Sequence, residues 1–310
     1  MRDHQSMIFP PLKGSEATSQ TDLPPTSLTN QMGDRVLSYR WAAGLSDQEW
    51  IEFLAGERQI QGHTAPPLPP AELQRMFVGC DGILAFQMIA QFWKTVKEVI
   101  SSGNHPLTNE SKVLDFGVGW GRLYRYLLRD FSQFHLIGVD VDGSAIGICK
   151  NAMPYGSFYQ VPTSPPYPFA TSEFDLIALL SVFSHLSERV FKSILSEFGR
   201  IVKPGGWVAF TTLHAAHLNV WCQQVNQPYW DEILRKVDFN PTAWEEKLKS
   251  GEFLFVPTGG GDDSRPPDLY GEAIVSQSYL KMALLNSDFD LFYYSESPDA
   301  PQALAVLKRK

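Results

Sequence analysis

Up to about residue 30 the chain has little apolar periodicity and is rich in Ser, Thr, Gln and Pro, a texture that predicts a poorly ordered arm. From Leu45 the pattern turns helical. Ser46-Asp47-Gln48-Glu49 reads as a helix start, with Ser46 as N-cap and Glu49 at the reciprocal capping position, leading an amphipathic helix with Trp50, Ile51, Phe53 and Leu54. The proline-rich run from Ala65 to Pro70 halts any helix. Between Ala71 and Ile100 apolar residues recur at three- and four-residue spacing (Leu73, Phe77, Leu84, Met88, Phe92, Val96, Val99), which predicts helix broken near Gly79 to Gly82.

The centre of the chain alternates between two periods. Lys112 to Phe116 reads as a short buried strand, followed by a glycine turn and a helix from about Arg122 to Arg129. Leu136 to Asp140 is a second strand, with a helix through Ile146 and Cys149 after it; Phe174 to Leu180 is another apolar strand. Glu188 to Val202 is amphipathic helix, closed by Pro204-Gly205-Gly206 before a strand from Trp207 to Leu213. This alternation implies a parallel sheet with helices on both faces. At the C-terminal end Ser276 caps a helix to about Asn286, and Phe289 to Tyr294 and Ala303 to Leu307 read as strands. Their link is far shorter than the crossover of roughly a dozen residues that a parallel pair needs, so this last pair is expected to be antiparallel.

Composition narrows the function. Hydrophobic residues make up 44% of the 310 and charged residues 19%, enough apolar material for a sizeable core. The formal charge of −8 argues against a nucleic-acid partner, which needs a basic surface to displace counterions. Cys80, Cys149 and Cys222 form neither a disulfide framework nor a metal knuckle. With no signal pattern and no long unbroken apolar run, a cytoplasmic setting away from membranes is expected.

The strongest chemical signal is Val113-Leu114-Asp115-Phe116-Gly117-Val118-Gly119-Trp120-Gly121-Arg122. A strand feeding a glycine turn and a helix puts backbone N–H groups at the carboxyl edge of the sheet, where open α/β sheets bind ligands. The dinucleotide pattern GxGxxG fails because the third glycine comes one residue early, and no Gly-Lys-Ser/Thr follows for a phosphate loop. Asp115, two residues before the first glycine, would repel a pyrophosphate but suits an ammonium or sulfonium. Asp140 ends the next strand roughly twenty residues on, where a carboxylate can accept from both hydroxyls of a ribose. Alone it reads as a strand-end turn residue; paired with the glycine turn it reads as a ribose contact.

These residues resemble the class I S-adenosylmethionine-dependent methyltransferases. VLDFGVGWGR is similar to the family's first motif and IGVDVDGSAI to its ribose-binding strand end. YPFATSEFDLIALLSVFSHL is similar to the third loop and fourth strand, and LSEFGRIVKPGGWVAFTT to the helix, turn and fifth strand. PPAELQRMFVG and SVFSHL are similar to a bacterial subgroup mostly of unassigned substrate. The resemblance implies an α/β, Rossmann-like, doubly wound and mostly parallel seven-stranded sheet with an antiparallel C-terminal strand. It also implies a helical cap over 31–110, a methyltransferase domain over 111–310, and an inserted lid over about 214–271. S-adenosylmethionine would be the cofactor and a small molecule the acceptor. Asp115, Gly117, Gly119 and Gly121 would hold its methionine part, with Phe116 and Val118 also contacting the cofactor, Asp140 its ribose and Val141 its adenine, while Leu180 and Ser181 line the methionine side. Many relatives carry an acid after the third strand that reads the adenine amino group; Thr163-Ser164 stands there instead.

Methyl transfer depends chiefly on holding donor and acceptor in line, with a base where the acceptor must lose a proton. His185, following the fourth strand, is the first candidate base, against a plain helix-capping role; His214, beyond the fifth strand, is the second, against a solvated loop. His214-x-x-His217 has no evident third ligand, so no metal is expected, and Asp262 or Asp263 is a weak magnesium reading. Arg75 or Arg122 could pair with the cofactor carboxylate. The aromatics of the insertion (among them Trp221, Tyr229, Trp230, Phe239 and Trp244) either pack it against the sheet or roof an acceptor pocket. An oxygen of a sugar or secondary metabolite is the expected acceptor. A non-catalytic binding module and a nicotinamide oxidoreductase are the rival readings, and nothing in the sequence fixes the oligomeric state.

Overall fold

The computed structural model describes residues 39–225, 227–261, 265–297 and 300–310, so the expected arm and the pair Asp262-Asp263 lie outside the described residues. Ser46 caps α1 (Asp47–Leu54) as expected: its Oγ accepts from the Glu49 N–H at 3.2 Å, and the Glu49 carboxylate accepts from the Ser46 N–H at 3.0 Å. The helical run after the prolines splits into α2 (Ala71–Val78) and α3 (Gly82–Ser101), broken at Gly79, whose φ of 77° ends α2. Ala71–Ser101 is long and apolar enough to cross a membrane by length and composition alone, but α3 lays Phe86, Ile89, Trp93, Val96 and Ile100 into the protein core.

The sheet is assembled from β1 (Val113–Phe116), β2 (Leu136–Asp140), β3 (Ser157–Gln160), β4 (Phe174–Leu179) and β5 (Val202–Thr212), with β8 and β9 added from the C-terminal end. Between these strands run α4 (Arg122–Leu127), α5 (Gly143–Ala152) and α6 (Glu188–Ile201). The insertion contributes α7 (His217–Gln224), α8 (Pro228–Lys236), α9 (Pro241–Ser250) and a hairpin of β6 (Leu254–Val256) and β7 (Glu272–Ile274). Then come α10 (Gln277–Ala283), β8 (Phe289–Ser295) and β9 (Ala303–Arg309). The strand order is β3-β2-β1-β4-β5-β9-β8, parallel throughout except that β9 runs antiparallel to both neighbours. The seven-stranded sheet and its antiparallel C-terminal pair are therefore as the sequence led us to expect.

Strand residues alternate between two cores, as a pleated sheet buried on both sides requires. Val113, Leu176, Ala178 and Trp207 face α3 and α4, while Leu114, Phe116, Ile177 and Phe210 face α6 and α10. The cap is bonded to α4 and the turn after it through two buried guanidinium groups. Arg125, fully buried, donates to the carbonyls of Pro66 (3.0 Å) and Pro67 (3.1 Å), and Arg129 pairs with Asp47 at 2.5 Å. Trp50 Nε1 donates to the Tyr126 carbonyl at 3.0 Å.

Several boundaries and one strand differ from the sequence reading. α6 yields to β5 at Val202, one residue early, and Pro204-Gly205-Gly206 is a register irregularity within the strand rather than a separator. The helix after Ser276 stops at Ala283. β3 was not picked out by the pattern, because only Phe158 and Tyr159 of its four residues are apolar. In the insertion, Trp221, Trp230, Trp244 and Phe239 pack with Leu254, Val256 and Ile274 into a third small core. These rings hold the insertion together; they do not line the ligand cleft.

Candidate active site

The carboxyl ends of β1, β2 and β4 open into a cleft of about 1320 Å³, counting its mouth. Its floor is the glycine turn. Gly117, Gly119 and Gly121 have φ of 80°, 53° and 85°. At Gly117 a Cβ would lie 2.3 Å from Val182 Cγ2, so a side chain there is excluded by contact as well as by backbone conformation. The turn is folded onto β2 more tightly than the sequence reading implies. The Gly117 and Val118 N–H groups both donate to the Val139 carbonyl at 2.8 Å, and the Gly119 N–H donates to Asp140 Oδ2 at 2.9 Å. Three backbone donors expected to face a ligand are thereby occupied.

Asp115 is 2% exposed, and its Oδ2 has no hydrogen-bond partner. Burial, aided by the charge of Asp140, pushes its carboxyl up to about 7, although the Tyr124 N–H and the Arg122 charge act the other way. Arg122 opens α4 and is also buried, with Nη1 unpartnered; burial lowers its pKa to about 10. Asp140 is raised by burial despite accepting from the Asp142 N–H at 3.0 Å and from Gly119. The site thus holds an orphaned carboxylate oxygen and an orphaned guanidinium nitrogen on either side of one glycine turn. Such a pair fits an amino-acid zwitterion, the ammonium on one and the carboxylate on the other. Of the two arginines considered from sequence, Arg122 lines the cleft, whereas Arg75 is exposed and paired with Asp81.

Beyond β4, Leu180, Ser181 and Val182 line the cleft. Ser181 holds a φ of 63°, the left-handed region unusual for a side-chain-bearing residue. Its N–H donates to Thr211 Oγ1 at 2.8 Å and its Oγ accepts from Gln302 Nε2 at 2.8 Å, so β5 and the β8–β9 link pin a strained residue at the cleft wall. Gln302 is a support the sequence reading missed.

His185 lines the cleft and is joined to the lid on both its backbone and its ring. The Gly271 N–H donates to the His185 carbonyl at 2.7 Å, and His185 Nδ1 lies 2.9 Å from the Gly271 carbonyl. A carbonyl only accepts, so Nδ1 carries the proton and Nε2 keeps its lone pair. The ring stacks on Tyr270 at 5.0 Å and 6°, and Arg265 sits over the Tyr270 ring at 5.7 Å. Burial lowers the His185 pKa, partly opposed by the Gly271 bond and the Glu272 charge, which favours the neutral imidazole. Tyr270 and Arg265 were missed because they follow the glycine-rich loop some eighty residues downstream, where no local pattern marks them.

His214 is not brought to the cleft. Its Nε2 is taken up by the Ala300 carbonyl at 2.8 Å, which turns the ring toward the β8–β9 link. His217 pairs with the buried carboxylate of Glu272 at 3.1 Å, which also accepts from Trp221 Nε1. Burial opposes ionisation of Glu272, but the His217 and Trp221 bonds hold its pKa below the ordinary value. No metal-ligand cluster occurs among the described residues.

Gly271 has one further constraint. A Cβ there would lie 2.1 Å from the Val256 carbonyl oxygen and 2.9 Å from the Phe255 ring. Gly271→Ala is expected to destabilise the protein by about 2–3 kcal/mol, read as a lowered thermal midpoint, because the obstacle is backbone that cannot rotate away.

The doubly wound sheet with this strand order, the glycine turn after β1 and the acid ending β2 are the features that the sequence resemblance led us to expect. Residues 113–206 match the family described as Methyltransferase domain. An uncharacterized methyltransferase of Synechocystis is 31% identical over 111 residues, covering 36% of this chain and 51% of its own length. The demethylmenaquinone methyltransferase of Thermotoga maritima is 30% identical over 124 residues, covering 40% and 51%. The chain thus spans about half the length of the curated relatives it matches. In fold, a S-adenosylmethionine-dependent methyltransferase of Leishmania major aligns over 85% of this chain and 82% of its own, with a TM-score of 0.50 and 13% identity.

Proposed function

We propose that this chain transfers a methyl group from S-adenosylmethionine to an oxygen of a small apolar acceptor in the cytoplasm. The observation that carries the proposal is the pair of buried, unpartnered polar atoms, Asp115 Oδ2 and Arg122 Nη1, lining one cleft. Asp115 would take the cofactor's ammonium and Arg122 its carboxylate, Asp140 the ribose hydroxyls, and Val141 one face of the adenine. Phe116 to Gly119, Gly121, Leu180 and Ser181 would shape the methionine side. The bound cofactor would supply an electrophilic methyl on a sulfonium: the acceptor's lone pair would form the new bond while the C–S pair stays with the departing thioether, so an aligned nucleophile is the main requirement.

The chain's own part is to present that nucleophile. His185, with Nδ1–H committed to Gly271, would accept the acceptor's hydroxyl proton on Nε2. Between the two acceptor classes, the lining favours an apolar metabolite over a sugar. Phe77, Val182, Leu186, Leu269 and Tyr270 offer few groups to satisfy several hydroxyls. A base of lowered pKa also suits an acidic hydroxyl, phenolic or enolic, better than an alcohol. The names of the relatives point the same way without deciding it: one acts on demethylmenaquinone, and another is a fatty-acid O-methyltransferase of Mycolicibacterium smegmatis. Neither nucleic acid nor a membrane enters this reading.

The test is calorimetric titration with S-adenosylmethionine, S-adenosylhomocysteine and NADH. Micromolar binding of the first two is expected. Asp140→Asn, which keeps one acceptor, should weaken it about tenfold. Binding of NADH in their place would overturn the proposal, and tight cofactor binding with no methyl-mass gain in any hydroxylated apolar acceptor would leave a binding module.

A further inference from the structure

The loop after β3 carries Val161, Thr163 and Tyr167 to the cleft. It contains no carboxylate between Gln160 and Glu173. Pro162 has no N–H to offer, and Ser164 is exposed and outside the cleft. Tyr167 differs from its neighbours. It is 3% exposed, and its hydroxyl is buried with no hydrogen-bond partner.

The residue is held firmly at every other point. Its N–H donates to Glu197 Oε1 at 2.9 Å, its carbonyl accepts from Arg200 Nη2 at 3.1 Å, and its ring packs on Phe116 at 5.2 Å. The other cleft residues with buried, unpartnered polar atoms, Asp115, Trp120 and Arg122, all belong to β1, the glycine turn or the first residue of α4. Tyr167 alone among these comes from the side of the cleft that follows the ribose strand. A hydroxyl stripped of water with nothing in return is unfavourable in the free protein, and a ligand that pairs with it removes that cost.

We propose that the hydroxyl of Tyr167 reads the adenine ring of the cofactor. The inference rests on the S-adenosylmethionine reading above. It also separates this chain from a carboxylate reader in a measurable way. A carboxylate only accepts, so it selects the amino group; a phenol both accepts and donates, and can turn to face either an amino group or a carbonyl. Burial raises the phenol's pKa, so it stays protonated at neutral pH and keeps both roles.

The experiment is titration of wild type and Tyr167→Phe with S-adenosylhomocysteine, 5′-methylthioadenosine and S-inosylhomocysteine, alongside thermal unfolding without ligand. Wild type is expected to bind the inosyl analogue within about tenfold of the adenosyl parent, because the hydroxyl can reverse its role. Tyr167→Phe is expected to weaken all three ligands about three- to tenfold, the span of one hydrogen bond. The unliganded variant should unfold at the same or a higher temperature, since only an unpaired group is lost; a merely structural tyrosine would give the opposite sign. Unchanged binding in the variant would overturn the inference, as would weakened S-adenosylhomocysteine with unchanged methylthioadenosine, which would put the hydroxyl at the amino-acid end. Rejection of the inosyl analogue by wild type would also count against it. Failure of wild type to bind any of the three would overturn the cofactor reading itself.

Discussion

His185→Gln is expected to lower the rate of methyl transfer about 10²- to 10⁴-fold while S-adenosylhomocysteine binds as tightly as before. Glutamine is close enough in size to keep contact with Tyr270 and can still donate an N–H to the Gly271 carbonyl. It has no basic nitrogen to take a proton. The loss should therefore appear in kcat and leave the cofactor's affinity alone. The wild-type rate should fall as pH drops through a value below the ordinary histidine range, because burial lowers the pKa and only the neutral ring is a base. The sign for stability follows from the same shift: the unfolded histidine takes up a proton before the folded one does, so stability falls as pH drops below the unfolded value of about 6.5. A His185→Gln enzyme with undiminished kcat would remove the base from the proposal and leave alignment as the whole of catalysis.

Asp115→Asn is expected to move binding and stability in opposite directions. The folded carboxyl is pushed from 3.8 up to about 7, so the stability it contributes at low pH is lost as pH rises through about 7. Removing the charge should stabilise the unliganded protein above that pH by a few kcal/mol at most. Cofactor affinity should fall about 100-fold or more, since a buried ammonium would lose its counter-charge. Wild-type affinity should also weaken by about tenfold per unit as pH falls below 7, because the ammonium requires the ionised carboxylate, and the variant should lack that slope. Calorimetry across pH, with thermal unfolding in parallel, measures all of these. A flat pH profile in wild type would mean that Asp115 does not face the ammonium.

The parts of this molecule that could be read from sequence are those whose causes are local. The spacing of Gly117, Gly119 and Gly121, the acid ending β2 and the short link before β9 each follow from a few neighbouring residues, and each is where the pattern placed it. β3 escaped because its pairing partner β2 supplies the order that its four residues lack. The lid escaped for a different reason. Its tryptophans were visible as apolar mass, but whether they meet the cleft or one another depends on how three helices pack, and they meet one another. Tyr270 and Arg265 reach the cleft because the return of the lid pairs its backbone with the loop after β4, through Ser187 to Leu269 and Gly271 to His185. His214, promising by its place after β5, is claimed by a carbonyl that arrives from residue 300. Pairings over such separations are set by tertiary packing, which no window of sequence contains.

The clamp that Arg125 makes on the carbonyls of Pro66 and Pro67 has a consequence for how such chains can diverge. The helix that starts at the glycine turn carries a guanidinium with no carboxylate partner among the described residues, and its two carbonyl acceptors are lent by a segment outside residues 113–206. A relative that exchanges this cap for another would strand the cation in an apolar interior. Arginine at this position and a cap segment that brings two backbone carbonyls to it should therefore be inherited as a pair, present together or absent together.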